Sequence, residues 1–203
     1  DYTPQELAPL NIPYVCCSYD NQYGTLPPDS YASVSIADEE EACRAVTELY
    51  RCGHRRIAAL VSGTEDRSIS QLRYQGYVRA LAAHGLPLEQ ELVIEAGSFD
   101  IRQSYLAMQR RLLAGAQFTA LFAISDNMAI GAMRALREAG RRIPEDCSVI
   151  AIDGLTVSDY INPTLTTLCQ PMEHMGRRSV EILLDMVEHR GGPIRETAHT
   201  TLR

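Results

Sequence analysis

LFAISDNMAIGAMRALREAG, residues 121–140, changes period in its middle. Leu121 to Ile124 closes an unbroken apolar run, FTALFAI (118–124), of the length and character of a strand buried on both faces. After Ser125, Asp126 and Asn127 the spacing becomes helical. Met128, Ala132, Met133, Leu136 and Ala139 share one face, while Arg134, Arg137 and Glu138 point away. Ser125 or Asp126 supplies the N-cap and Gly140 the stop. Shortly afterwards CSVIAIDG (147–154) runs apolar and then meets Asp153. No helical pattern starts directly after Asp153, so capping does not account for that aspartate.

The same alternation extends outward in both directions. Strands are expected at 12–18, 33–36, 56–61, 91–96, 118–124, 147–152 and 165–169, and helices at 38–52, 70–84, 102–114, 127–139 and 172–189. Strands of this kind alternating with helices make a parallel sheet covered on both faces, with right-handed crossovers. All strand C-termini then lie on one edge, where open α/β sheets bind their ligands. Ser62, the Gly97-Ser98-Phe99 turn, Ser125, Asp126 and Asp153 all follow strands and converge there.

Composition narrows the function classes. The chain has 203 residues and a net charge of −7, and its 19 basic side chains are all Arg, in scattered pairs such as Arg55-Arg56 and Arg177-Arg178. An acidic chain without a basic cluster is a poor holder of nucleic acid by itself. No apolar run reaches membrane-span length, and residues 1–10 lack a signal-peptide pattern. A chain opening on Asp1 and not Met implies an upstream segment that has been removed. Its six cysteines form no CxxC and no zinc set, so they are expected to be reduced thiols in a cytoplasmic protein. Neither GxGxxG after a strand, nor GxxxxGK[ST], nor G-x-S-x-G occurs. The expectation is a binding site for a polar small molecule, with no catalytic residue, cofactor or metal.

Four phrases carry a more specific likeness: GHRRIAALVSG (53–63), RSISQLRYQGYVRALAAHGL (67–86), FAISDNMAIGAMRALREAGRRIPEDCSVIAIDG (122–154) and NPTLTTLCQPMEHMGRRSVEILLDMV (162–187). With them the chain resembles, over essentially its whole length and in order, the lactose-repressor/galactose-repressor family of bacterial transcription regulators. The resemblance implies a periplasmic-binding-protein-like α/β fold: two doubly wound parallel-sheet subdomains joined by crossing segments. It places 1–37 and 167–190 in an N-terminal subdomain that is incomplete here, and 38–166 with 191–203 in a C-terminal one. It implies a repressor core that senses a small polar effector, sugar-like or a small anion, and works as a homodimer. Operator DNA would be read by a helix-turn-helix headpiece absent from this chain. A substrate-binding protein of a sugar transport system is the alternative.

The resemblance also assigns site residues. Arg73 takes the place of an arginine that hydrogen-bonds the effector, and Arg67 that of a second arginine used by some members. Phe99 stands where an aromatic stacks on the ligand ring. Asp153 stands where an aspartate accepts from ligand hydroxyls or amines. Ser125 replaces a common asparagine and is followed by the usual Asp126. Ser18 replaces an acidic residue, with Asp20 close by. Asp153-Gly154 departs from the commoner Asp-Asp or Asp-Asn, which leaves fewer polar partners than a typical hexose site has. Two arginines would also suit a carboxylate or phosphate, which the guanidinium fork binds bidentately.

Overall fold

The computed structural model describes residue 9 and residues 12–18, 31–64 and 69–203. In order these form β1 (Val15–Cys17), β2 (Ala32–Ile36), α1 (Asp38–Arg51), β3 (Ile57–Val61), α2 (Ile69–Ala83), β4 (Val93–Glu95), α3 (Ile101–Leu113), β5 (Ala120–Ala123), α4 (Asp126–Glu138), β6 (Ser148–Asp153), β7 (Thr166–Cys169), α5 (Met172–Val187), β8 (Arg195–Ala198) and β9 (Thr201–Leu202). The alternation is the expected α/β one, and the chain divides into two units.

The larger unit comprises Asp38–Asp66, Ser70–Cys169 and Thr201–Arg203. Its sheet has the order β4-β3-β5-β6-β7-β9, with β4, β3, β5, β6 and β7 parallel and β9 antiparallel on the edge. Every residue of β3 and β5 is buried. Successive side chains on a strand face opposite ways, so both faces of the sheet are covered. The helices dock through small residues. A Cβ on Gly131 of α4 would lie 2.2 Å from the Ile101 carbonyl oxygen of α3, and one on Gly76 of α2 would lie 2.2 Å from that of Glu39 in α1. Only glycine allows those backbones to come so close.

The smaller unit comprises Asp1–Ala37, Arg67–Ile69 and Gln170–Thr200. Its three-stranded parallel sheet has the order β1-β2-β8, and α5 packs on β1 and β2. Arg178 of α5 donates to both Glu196 carboxylate oxygens of β8, at 2.6–2.9 Å.

Residues 67–69 fall in the smaller unit and not in the 38–166 subdomain, and two boundaries also differ from the sequence-based division. Residues 167–169 belong to the larger unit, because β7 pairs with β6 along the register Ile150↔Thr166 to Asp153↔Cys169. Residues 191–200 belong to the smaller unit, because β8 pairs with β2. Only the final three residues return to the larger sheet, as β9. The chain therefore passes between units after Ala37, after Asp66, after Ile69, after Cys169 and after Thr200.

Candidate functional site

Helix α2 is pinned to the sheet at both ends of one face. The Ser70 hydroxyl accepts from the amides of Ser62 and Gly63 at 3.1 and 3.2 Å and donates to the Gly63 carbonyl at 2.7 Å. Two turns on, the Tyr77 hydroxyl donates to the Ile57 carbonyl at 2.9 Å. Arg73 lies between them on the same face, three residues after one and four before the other, so its side chain is driven inward.

There it meets three acceptors. Its Nε donates to Asp38 Oδ1 at 2.7 Å, and its Nη1 to the Ile124 carbonyl and, at 3.2 Å, to Asp153 Oδ1. The Arg73 side chain is only 3% exposed. Burial alone would lower its pKa, but the carboxylates of Asp38 and Asp153 outweigh that and hold it above the ordinary arginine value. Burial raises the Asp38 carboxyl, although Arg73 pulls it down. Burial likewise raises the Asp153 carboxyl; Arg73 opposes that shift and the negative charge of Asp126 adds to it.

Asp153 is the outward member of the group, with 24% of its side chain exposed. Its Oδ2 accepts from the Asp126 amide at 3.4 Å, at the N-terminus of α4, where the helix favours negative charge. Asp153 sits at φ 149°, a value that residues other than glycine seldom adopt, and Gly154 follows at φ 79°. A Cβ on Gly154 would fall 2.6 Å from the Cα of Cys169. That close approach explains why glycine, and not a second acidic or amide residue, follows the aspartate.

Ser125 and Asp126 divide the work that the sequence left undecided between them. Ser125 is the N-cap of α4: its hydroxyl accepts from the Met128 amide at 3.3 Å. Asp126 is fully buried, and its carboxylate accepts from the Leu155 amide (2.7 Å), the Ser158 hydroxyl (2.7 Å) and the Thr167 hydroxyl (2.6 Å). Its carboxylate therefore holds the loop after β6 and the strand β7, an internal role in place of the outward one expected for it. Thr167 also accepts from the Gly154 amide at 3.3 Å, which closes the circuit behind Asp153.

Phe99 follows β4 on the same sheet edge and is 39% exposed. Arg67 and Asp20 lie outside the described residues. Ser18 belongs to the smaller unit. It follows β1 at φ 61° and donates from its hydroxyl to Gln170 Oε1 at 3.0 Å. The larger unit thus brings Arg73, Asp153 and Asp126 into one connected network, with Ser125 beside it as the cap of α4. Ser158, Thr167 and Asp38 also belong to it and are not among the expected site residues; Asp38 is the charged one. The signal was present, since SIAD (35–38) is an apolar strand ending in an aspartate that opens a helix, as AISD (123–126) is. The place of Asp38 in the first turn of α1 hides it, because the helical spacing of 38–52 already accounts for an acidic residue there.

The periplasmic binding protein-like domain model matches residues 46–203. The chain is 35% identical over 187 residues to the helix-turn-helix-type transcriptional regulator CelR of Thermobifida fusca, covering 92% of this chain and 54% of that protein. Among solved structures, a transcriptional regulator CelR–cellobiose complex superposes with a TM-score of 0.88 at 33% identity, covering 98% of this chain and 60% of that one. A LacI-family regulator from Sanguibacter keddieii superposes with a TM-score of 0.85 at 30% identity, covering 94% of this chain and 72% of that one. The chain spans about half the length of the curated relatives it matches.

Proposed function

We propose that this chain, which belongs to the LacI family within the periplasmic-binding-protein-like class, is the effector-sensing core of a transcription repressor. The observation that carries the reading is the Arg73–Asp153 pair. It is a buried cation holding a partly exposed carboxylate at the C-terminal edge of a parallel sheet, where ligands of such sheets bind. The carboxylate accepts from ligand hydroxyls, and the exposed ring of Phe99 offers a sugar an apolar face. Ser125 lies at the same edge as the cap of α4, and Arg67, Asp20 and Ser18 are further effector contacts on the strength of the family resemblance alone. Asp126 acts indirectly, by holding Asp153 and the loop behind it.

The regulator works as a two-fold dimer of cytoplasmic subunits. Its operator is read by a headpiece that precedes this core, and the ligand acts through its differential affinity for two arrangements of the core. The core carries no catalytic step.

Calorimetry on the full-length regulator tests the reading with neutral saccharides, cellobiose first because of the CelR–cellobiose relative. Saturable binding is expected, and Asp153→Asn should weaken it at least about tenfold through loss of a charged acceptor. Saccharide binding unaffected by Asp153→Asn and Phe99→Ala would remove the site from this edge.

A further inference from the structure

The effector edge lies where strands end. At the opposite edge of the same sheet, where β5, β6 and β7 begin, there is an open cavity of about 420 Å³. Arg137, Arg141 and Arg142 line it, together with Glu145 and Asn162. The chain's net charge is −7, yet this hollow is cationic.

How the three guanidiniums are engaged decides what can enter. Arg137 stands in the last turn of α4 and donates from Nη1 to the Asn162 carbonyl at 2.8 Å. Among the described residues that is its one side-chain hydrogen bond. Its Nε–Nη2 edge, a pair of parallel N–H groups, therefore stays whole. Arg141 gives Nη1 to the Phe118 carbonyl at 3.0 Å and Nη2 to the Ala116 carbonyl at 3.1 Å, which leaves Nε. Arg142 closes Nε and Nη2 on Asp146 at 2.9 and 2.7 Å, which leaves Nη1. Backbone carbonyls hold Arg137 and Arg141 without neutralising them, and neither forms an ion pair among the described residues.

The negative end of a helix ordinarily accounts for arginines near it. Here the last carbonyls of α4 are already taken. Those of Ala135, Leu136 and Arg137 accept from the amides of Ala139, Arg141 and Gly140. Arg141 and Arg142 also stand beyond the helix, past the turn at Gly140. Three guanidiniums less the carboxylates of Asp146 and Glu145 leave one positive charge over.

We propose that this cavity is an accessory site for the phosphate group of a small phosphate monoester, separate from the effector edge and independent of Arg73 and Asp153. The open edge of Arg137 grips two of its oxygens, and Nε of Arg141 and Nη1 of Arg142 bring further donors and charge to the same hollow. The volume falls in the range of small-molecule sites and leaves room for the organic part.

Calorimetric titration of the full-length protein tests this, with inorganic phosphate and then glycerol 2-phosphate as probes and chloride at matched ionic strength as control. Saturable phosphate binding is expected, with about 50 mM as the upper bound of the search. Glycerol 2-phosphate should bind at least as tightly. Arg137→Gln and Arg142→Gln should each weaken binding by at least roughly fivefold. Arg177→Gln, which removes an equal charge from α5 in the smaller unit, should leave it unchanged. Glu145→Gln removes the one carboxylate lining the cavity and should tighten binding about threefold or more. That gain cannot come from damaged folding, so Glu145→Gln and Arg142→Gln decide the matter if Arg137→Gln does not fold. No saturable binding by wild type, or wild-type affinity in the cavity variants, overturns the proposal. So does an equal loss in Arg177→Gln, the mark of an adventitious ion only. Phosphate binding with glycerol 2-phosphate excluded overturns the monoester.

Discussion

The two units use the same strand-helix grammar and differ in how completely they bury it. In the six-stranded unit, β3 and β5 are buried at every position, and Phe122, Leu121, Ile150 and Leu136 are fully enclosed. In the three-stranded unit, β2 is equally buried, but β8 reads exposed, half-buried, exposed, buried, and α5 carries Val180 (56% exposed) and Leu184 (50%) on its surface. Val187 is exposed on the same helix. A parallel strand needs cover on both faces, and a three-stranded sheet has fewer neighbours to provide it. The contrast teaches that Arg73 and Asp153 stand on the more completely packed unit, held from behind by a sheet covered on both faces.

That contrast can be broken by mutation. The largest effect should come from Phe122→Ala, which empties a closed site in the larger sheet and should cost about 3–5 kcal/mol in urea unfolding. A loss below about 1 kcal/mol would mean that the sheet is not the packed body described. Next is Asp126→Ala, which orphans the Leu155 amide and the hydroxyls of Ser158 and Thr167. Each orphaned buried group costs about 1–3 kcal/mol before relaxation, so a net loss of about 3 kcal/mol is expected. Hydrogen exchange at the Leu155 amide should accelerate in the same variant, and unchanged protection there would show that the carboxylate does not hold the loop.

In the smaller unit, Leu184→Ala should cost no more than about 0.5 kcal/mol in the isolated chain, as for other exposed positions. A cost approaching that of a core leucine would show the helix face to be covered. The finest probe is thiol reactivity. Cys17 and Cys52 are exposed, whereas burial pushes the Cys147 thiol up to about 12. At pH 8 an aromatic disulfide reagent should therefore label Cys17 and Cys52 in the native protein and Cys147 only on unfolding. Early labelling of Cys147 would mean that the larger unit opens locally near β6.

Much of the architecture was legible because apolar runs and helical spacing are local signals. Every strand from β1 to β7 and every helix from α1 to α5 overlaps a stretch marked out by periodicity. Strands β8 and β9 lie in RETAHTTLR (195–203), where exposed edge positions leave polar residues and no apolar run to read. The site was legible as a set of strand ends and obscure as a network. Asp126 reaches partners 29 to 41 residues away, and Arg73 reaches Asp38 across 35, separations that no spacing rule spans. Hence Asp38 is hidden inside a helix start, and the inward partners of the Asp126 carboxylate leave no local trace in the sequence.

The chain leaves the larger unit beside the same residues that form its network. Asp38, which holds Nε of Arg73, is the first residue after the passage at Ala37, and Asp153 is paired in register with Cys169, the last residue before the passage to Gln170. In mechanical terms the network is clamped close to the chain's own seams: one hydrogen bond separates the Arg73 guanidinium from the seam at Ala37, and one rung of sheet separates Asp153 from the seam after Cys169.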